Sequence, residues 1–161
     1  MVRNISEKFP DRIPVFPLRS AIFFPETNLP LNIFEPRYLK MVEKAIKGNG
    51  VLGMIQSKKV DGDVFNVGCL GKINEHKKTK DGRILINLYG LSRFKINQEI
   101  NNREPFREFS VSYDYFKNDL EQNYSINDAL FNKLKENSKQ LFERQGMALN
   151  WKQLSELKKS Q

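Results

Sequence analysis

Proline spacing constrains this chain more than any other feature. From Ile13 to Tyr38 it reads IPVFPLRSAIFFPETNLPLNIFEPRY, with prolines at 14, 17, 25, 30 and 36. The stretch is apolar and aromatic enough to be core. Proline, however, donates no backbone hydrogen bond and is excluded from the interior of a long central strand. The segment therefore predicts three brief extended pieces, 13–16, 21–24 and 28–33, each cut by a proline-bearing turn. Pro36 plays a different part, because a helix loses nothing when its first residue lacks an N–H. Tyr38, Leu39, Val42, Ala45 and Ile46 then recur with helical period, and Gly48 stands where such a helix stops. The spacing predicts a helix over 36–47.

The following segments alternate with a period of two. VLGMIQ (51–56) reads as a buried strand, and 67–76 as a strand bent by its glycines. Asp81-Gly82 marks a hairpin turn within 78–83. The stretches 84–90 and 93–100 alternate again, and 109–116 places Phe109, Val111, Tyr113 and Tyr115 on one face. Seven or eight short strands with one inserted helix predict a mainly β (α+β) chain closed, or nearly closed, into a barrel. The pattern changes at residue 117. Ser125 and Asp128 resemble a capping box, and Ile126, Ala129, Leu130, Leu134, Leu141 and Phe142 carry helical spacing up to a stop at Gly146. Asn150 caps a short last helix with Trp151, Leu154 and Leu157, expected to be buried within the monomer or at an interface. The expected organisation is a β domain over 1–116, with a flexible start at 1–12, and a helical extension over 117–161.

Composition excludes several classes of function. Among 161 residues there are 12 Phe, 5 Tyr and 1 Trp, too many aromatics for a disordered chain. One cysteine forbids an intramolecular disulfide, and with a single histidine it forbids a metal site built mainly from those ligands. No secretory signal and no run of ~20 apolar residues is visible, so a soluble protein of the reducing cytoplasm is expected, without a membrane partner. No phosphate-cradling loop and no G-x-S-x-G elbow occurs. His76 reads as solvated surface beside Lys77 and Lys78, Cys69 as a small core residue, and Glu35 with Glu43 as helix surface. No catalytic residue, cofactor or metal is expected. The net charge is +8, and residues 72–107 carry nine basic against four acidic groups. Lys72, Lys77, Lys78, Lys80, Arg83, Arg93 and Lys95 cluster along 72–95. Such a hairpin is a solvated edge protected by charge, or else a nucleic-acid contact with only Tyr89 and Phe94 for stacking.

Five separated motifs then carry a resemblance. I-P-V-F-P-L (13–18), a downstream F-P (24–25), L-P-L-N-I-F-E-P-R-Y-L (29–39), V-G-C-L-G (67–71) and D-G-R followed by G-L-S-R-F-K-I (81–96) stand in the order and spacing of the N-terminal substrate-recognition domain of Lon (La) proteases. The chain resembles a stand-alone copy of that domain. The resemblance implies a PUA-like β pseudo-barrel followed by helices, without the ATPase P-loop or the Ser–Lys protease module of full-length Lon. It implies a non-catalytic module that recognises polypeptide: unfolded or tagged segments, or Lon itself with this chain as adaptor. RNA binding through the basic 72–95 hairpin is the second reading, since PUA-like barrels include RNA-binding domains. Candidate apolar contacts are Phe23, Phe24, Leu29 and Phe34. Glu35 and Arg37, at the start of the helix, and Arg93, in G-x-x-R-F, are the polar candidates. Oligomeric state is left open.

Overall fold

The prolines sit where the sheet can do without a donor. The computed structural model describes residues 9–19, 21–58, 62–120 and 128–146. Strand β1 (Arg12–Leu18) changes partner at its middle: residues 12–14 pair antiparallel with β6 (Glu108–Ser112), and residues 15–18 pair in parallel with β3 (Val51–Ser57). Pro14 and Pro17 are thus never asked to bond on both sides. Strand β2 (Asn28–Ile33) lies at the sheet edge against β5 (Ile84–Ile100) and so tolerates Pro30.

Residues 21–24, expected as a strand, form a loop instead. The loop is locked over β5 at Gly90. The Glu26 N–H donates to Gly90 O at 2.9 Å, Gly90 N–H donates to Thr27 O at 2.9 Å, and the Thr27 hydroxyl donates to Phe24 O at 2.7 Å. A Cβ on Gly90 would run into the carbonyl of Phe24 and lie 3.0 Å from Pro25 Cα, so this crossing requires glycine. Backbone–backbone approach decided this stretch, and alternation could not reveal it.

The number of strands also differs from expectation. The predicted pieces 84–90 and 93–100 are one strand, β5, because a bulge at its Leu91, opposite Leu70 and Gly71 of β4 (Val64–Lys78), lets the ladder continue past Gly90. Six strands result, in the order β2-β5-β4-β3-β1-β6, and a further β5–β6 pairing closes five of them into a barrel with β2 outside. The expected strand 109–116 stops at Ser112, whose Oγ accepts from Asp114 N–H at 3.2 Å as the chain turns into a 3-10 segment (Asp114–Leu120). Tyr113 is therefore buried while Tyr115 is 70% exposed, not on the shared face expected.

Two hydrophobic clusters flank β3. Val51 and Ile55 point into the barrel with Ile13, Val15, Leu70, Phe94 and Val111. Leu52 and Met54 point the other way, to Ile33, Ile84, Leu88 and helix α1 (Pro36–Lys47). That explains why VLGMI is apolar without interruption: both faces of β3 are covered. Helix α1 has the predicted limits, with Pro36 in its first turn and Gly48 donating to the carbonyls of Lys44 and Ala45. It buries Tyr38, Met41, Val42 and Ala45, and the Tyr38 ring meets Phe16 edge-on at 4.1 Å.

Inside the barrel, Phe94 is wholly buried against two glycines. A Cβ on Gly53 would lie 2.8 Å from Ile13 Cδ1 and 3.0 Å from the Phe94 ring. One on Gly68 would lie 2.5 Å from both the Phe94 ring and Met54 O. The barrel seam is tied by charge as well. Glu108, nearly buried on β6, is held by the Arg12 guanidinium of β1 and by Lys44 of α1 at 3.3 Å. Lys44 and Lys40 both reach Glu104.

The chain divides into two compact units between residues 120 and 121. In the second, α2 (Asp128–Arg144) closes with Gly146 at φ +67, as its glycine predicted. Leu130, Leu134 and Leu141 of its apolar stripe are exposed. The Ser125 cap, Ile126, Asn150, Trp151, Leu154 and Leu157 lie outside the described residues, as do residues 1–8 of the expected flexible start.

Gly53→Ala is expected to cost about 1–3 kcal/mol by overpacking. Combined with Phe94→Leu, its cost in urea unfolding should be smaller than the sum of the two single changes, because both act on one space. The carboxylates give a second expectation. Burial pushes Glu108 and Asp119 upward, but the hydrogen bonds and charge of Arg12 and Lys44 on the one, and of Arg93 on the other, outweigh it, so both sit below the usual carboxylate range. A depressed carboxylate stabilises the fold above its unfolded pKa and ceases to do so as pH falls through the folded value. Melting temperature should therefore hold from neutrality down to about pH 4–5 and fall steadily below. In Glu108→Gln the drop below that range should be shallower, from a lower plateau.

Candidate functional site

The loop that crosses Gly90 does more than join two strands. It lays Ile22 and Phe24, 70% and 57% exposed, along one wall of a groove of about 170 Å³. Phe23 turns inward, packs on the helix-side core and fills the space that Gly71 leaves open. Strand β4 lines it as well, with Val67 half exposed and Cys69, together with Met54, Ile55 and Gln56 of β3 and Arg93 of β5. Cys69 is buried, as expected, and burial first of all pushes its thiol up to about 12. It is therefore an inert wall atom and no nucleophile.

Arg93 is committed to a neighbour. Its backbone N–H donates to Asp119 Oδ2 at 2.8 Å, its Nε to the same oxygen at 3.0 Å and its Nη2 to Oδ1 at 2.6 Å. The guanidinium also stacks 4.6 Å over the Phe116 ring. A two-pronged guanidinium–carboxylate pair of this kind fixes position as well as charge. Arg93 anchors the 3-10 segment to β5 and at the same time presents its edge to the groove.

A second cavity, of about 270 Å³, lies between the end of β1 and the start of α1. Glu35 and Arg37 line it and pair with each other, Arg37 Nε donating to Glu35 Oε2 at 3.0 Å. Both side chains are about two-fifths exposed, so the polar members of F-E-P-R-Y stay at the surface. Arg37 also covers the Tyr38 ring at 4.7 Å. Arg19 and Arg107 reach the same cavity.

The structure thus divides the seven candidates. Phe23, Phe24 and Arg93 belong to the groove, and Glu35 and Arg37 to the second cavity. Leu29 is half-buried against the helix-side core, and Phe34 is 63% exposed. Sequence reasoning missed Ile22 and Val67 in the groove and Arg19 and Arg107 in the cavity. Ile22 was legible in principle, as an apolar residue beside two others with no strand to share. Arg107 was not, because it arrives from 70 residues away. Along the basic hairpin, Lys78 pairs with Glu43, Arg83 with Asp81 and Arg93 with Asp119, while Lys72 donates to Asn49 O. Among the described residues no group of three or more His, Cys, Asp or Glu could hold a metal ion, and no helix is long and apolar enough to cross a membrane.

Comparison with known proteins places this geometry. The family described as the ATP-dependent protease La (LON) substrate-binding domain matches residues 12–160. The Lon protease of Cytophaga hutchinsonii is 30% identical over 112 residues, 66% of this chain and 14% of that protein. The Lon protease of Dictyoglomus thermophilum is 24% identical over 136 residues, 81% of this chain and 17% of that protein. The chain thus spans about a sixth of such relatives or less, and the part it matches is the non-catalytic, substrate-binding one. A Lon N-terminal domain protein from Xanthomonas campestris superposes with a TM-score of 0.55 at 25% identity, over 63% of this chain and 59% of that one. The N-terminal domain of the Mycobacterium avium complex Lon protease shares the fold, with a TM-score of 0.60 at 15% identity over 84% of this chain and 69% of that one. The chain, a β-rich substrate-recognition module, belongs to the Lon substrate-binding domain family.

Proposed function

We propose that the chain binds unfolded or tagged polypeptide segments without chemically altering them, and that the groove between the 21–24 loop and β4 receives them. The observation that carries this reading is the exposure of Ile22, Phe24 and Val67 around one concavity, whereas Phe34, Phe65, Leu85 and Tyr115, exposed elsewhere among the described residues, line neither this groove nor the second cavity. Exposed apolar side chains around a concavity offer an extended segment a place to bury its own apolar residues. The wall is held rigidly, because the loop is hydrogen-bonded across Gly90 and the floor is β-sheet, so little ordering cost falls on the protein when it binds. The lone, buried thiol fits a reducing cytoplasm. Lon itself, with this chain as adaptor, is the second partner to test.

Ile22→Asp and Phe24→Asp are the informative changes. Both side chains are exposed, so unfolding free energy should move by no more than about 0.5 kcal/mol. Affinity for a reduced, denatured model protein should fall about tenfold in each, as expected for the loss of an apolar anchor. Unchanged affinity in both variants would remove the groove from the reading. Capture of full-length Lon by the wild type, unaffected by the same changes, would favour the adaptor role.

A further inference from the structure

One stretch of this chain has the residues of a strand and no strand beside it. Residues 21–24 read Ala-Ile-Phe-Phe, and Ile and Phe are strong β-formers. Their side chains alternate in exposure. Ile22 and Phe24 stand out at 70% and 57%, while Ala21 and Phe23 are partly buried. That is the period of a strand. Yet among the described residues none of the four backbone N–H groups donates to a carbonyl, and only the Phe24 carbonyl accepts, from Thr27. The backbone of a β-forming run is ordinarily paired. Strand β2 also has an open side, since it pairs with β5 alone, but it carries Pro30, a residue that blunts an edge against further pairing. No proline does so within 21–24. The segment is fixed in place as well. Phe23 packs over Gly71, where a Cβ would lie 2.9 Å from its ring, and the residues that follow are bonded across Gly90.

We propose that residues 21–24 are an unfilled strand position, and that a polypeptide bound in the groove lies extended beside them and hydrogen-bonds to their backbone. This rests on the reading of the groove as the polypeptide site; it adds how the segment is held and which class of segment fits. A local preference that the fold leaves unmet, at the wall of a groove, marks a place where a partner completes the structure. An extended neighbour supplies the missing donors and acceptors, with alternate residues of each chain turned toward the other. Its side chains then point by turns into the groove, toward Met54 and Val67, and out to water. Recognition through the backbone tolerates many sequences and asks only for an extended, proline-free stretch. Folded proteins keep such stretches paired in sheets or wound in helices, so unfolded segments are the ones that fit. Four residues span at most about 14 Å of extended chain, so a short segment suffices. Because the wall is already ordered, the incoming segment alone loses freedom on binding.

The test uses a fluorescein-labelled nonapeptide with Val or Leu at odd positions and Thr at even ones, read by anisotropy with the full chain. The alternation fixes which side chains enter the groove, and hence which set of peptide N–H groups faces residues 21–24. Two further forms carry N-methyl groups on three odd or on three even residues. N-methylation removes a donor, as proline does. One of the two forms is expected to bind about tenfold weaker than the parent, and the other within about twofold of it. By NMR, the amides of one alternate pair, 21 and 23 or 22 and 24, should exchange about tenfold more slowly when the parent peptide saturates the chain. Equal binding of the two methylated forms, whether strong or weak, overturns the inference; where Ile22→Asp still weakens the parent peptide, the groove itself stands. Unchanged exchange at all four amides with the parent bound overturns it as well. So does failure to bind the parent at chain concentrations that saturate denatured protein, and capture of neither overturns both readings.

Discussion

The ring of Phe94 fills the space that five strands enclose, and the rest of the molecule is arranged so that it can. A small barrel has no room for two large side chains at one level, so the strands facing Phe94 present glycine, Gly53 from β3 and Gly68 from β4. Without side chains at those points the two strands close tightly on the ring, and Ile13 and Val111 pack around it. Interiors at this density tolerate little change in volume, which makes the Phe–Gly–Gly set one unit more than three residues. Because β3 is covered on its other face by α1, fixing it inside the barrel also fixes the floor of the helix-side core.

Strand β5 transmits that constraint outward. Its 17 residues pair with β2 and β4 in the first half and with β4 and β6 in the second, so one continuous backbone belongs to both cores. The motif G-x-x-R-F on this strand does three separate things within five residues. Gly90 lets the 21–27 segment cross at backbone distance, Arg93 grips Asp119, and Phe94 enters the barrel. The groove follows from these. Its loop wall is set by Gly90, its base includes Arg93, and its β4 wall is held by the pairing of Val67, Gly68 and Cys69 with residues 93–95.

Charge is used locally more than collectively. Pairs that join distant parts of the chain place part of this charge, Arg12 and Lys44 at Glu108 and Lys40 and Lys44 at Glu104, and a more local one holds Arg107 at Glu99. Along the hairpin that carries the sharpest basic run, Lys78 and Arg83 meet carboxylates, and Lys95 lies over the Tyr115 ring. The basic composition therefore works partly as a set of ties between elements.

The sequence by itself determined the local rules. Pro36 and Gly48 bounded α1, the helical spacing of Tyr38, Val42 and Ala45 named its buried face, Asp81-Gly82 placed the hairpin, and period-two alternation marked most of the sheet. These features depend on residues within a few positions of one another, so a single chain displays them. The motifs also carried the resemblance to the family, because order and spacing survive in one dimension. Only the tertiary structure decided that 84–100 is one strand, that 21–24 is a wall and no strand, that Tyr115 leaves the face of Tyr113, and that Arg107 comes to stand with Arg19 and Arg37. Each of those outcomes was set by a bulge, a backbone crossing, a turn or a contact between residues far apart in sequence, and such pairings leave no period in the chain that could announce them.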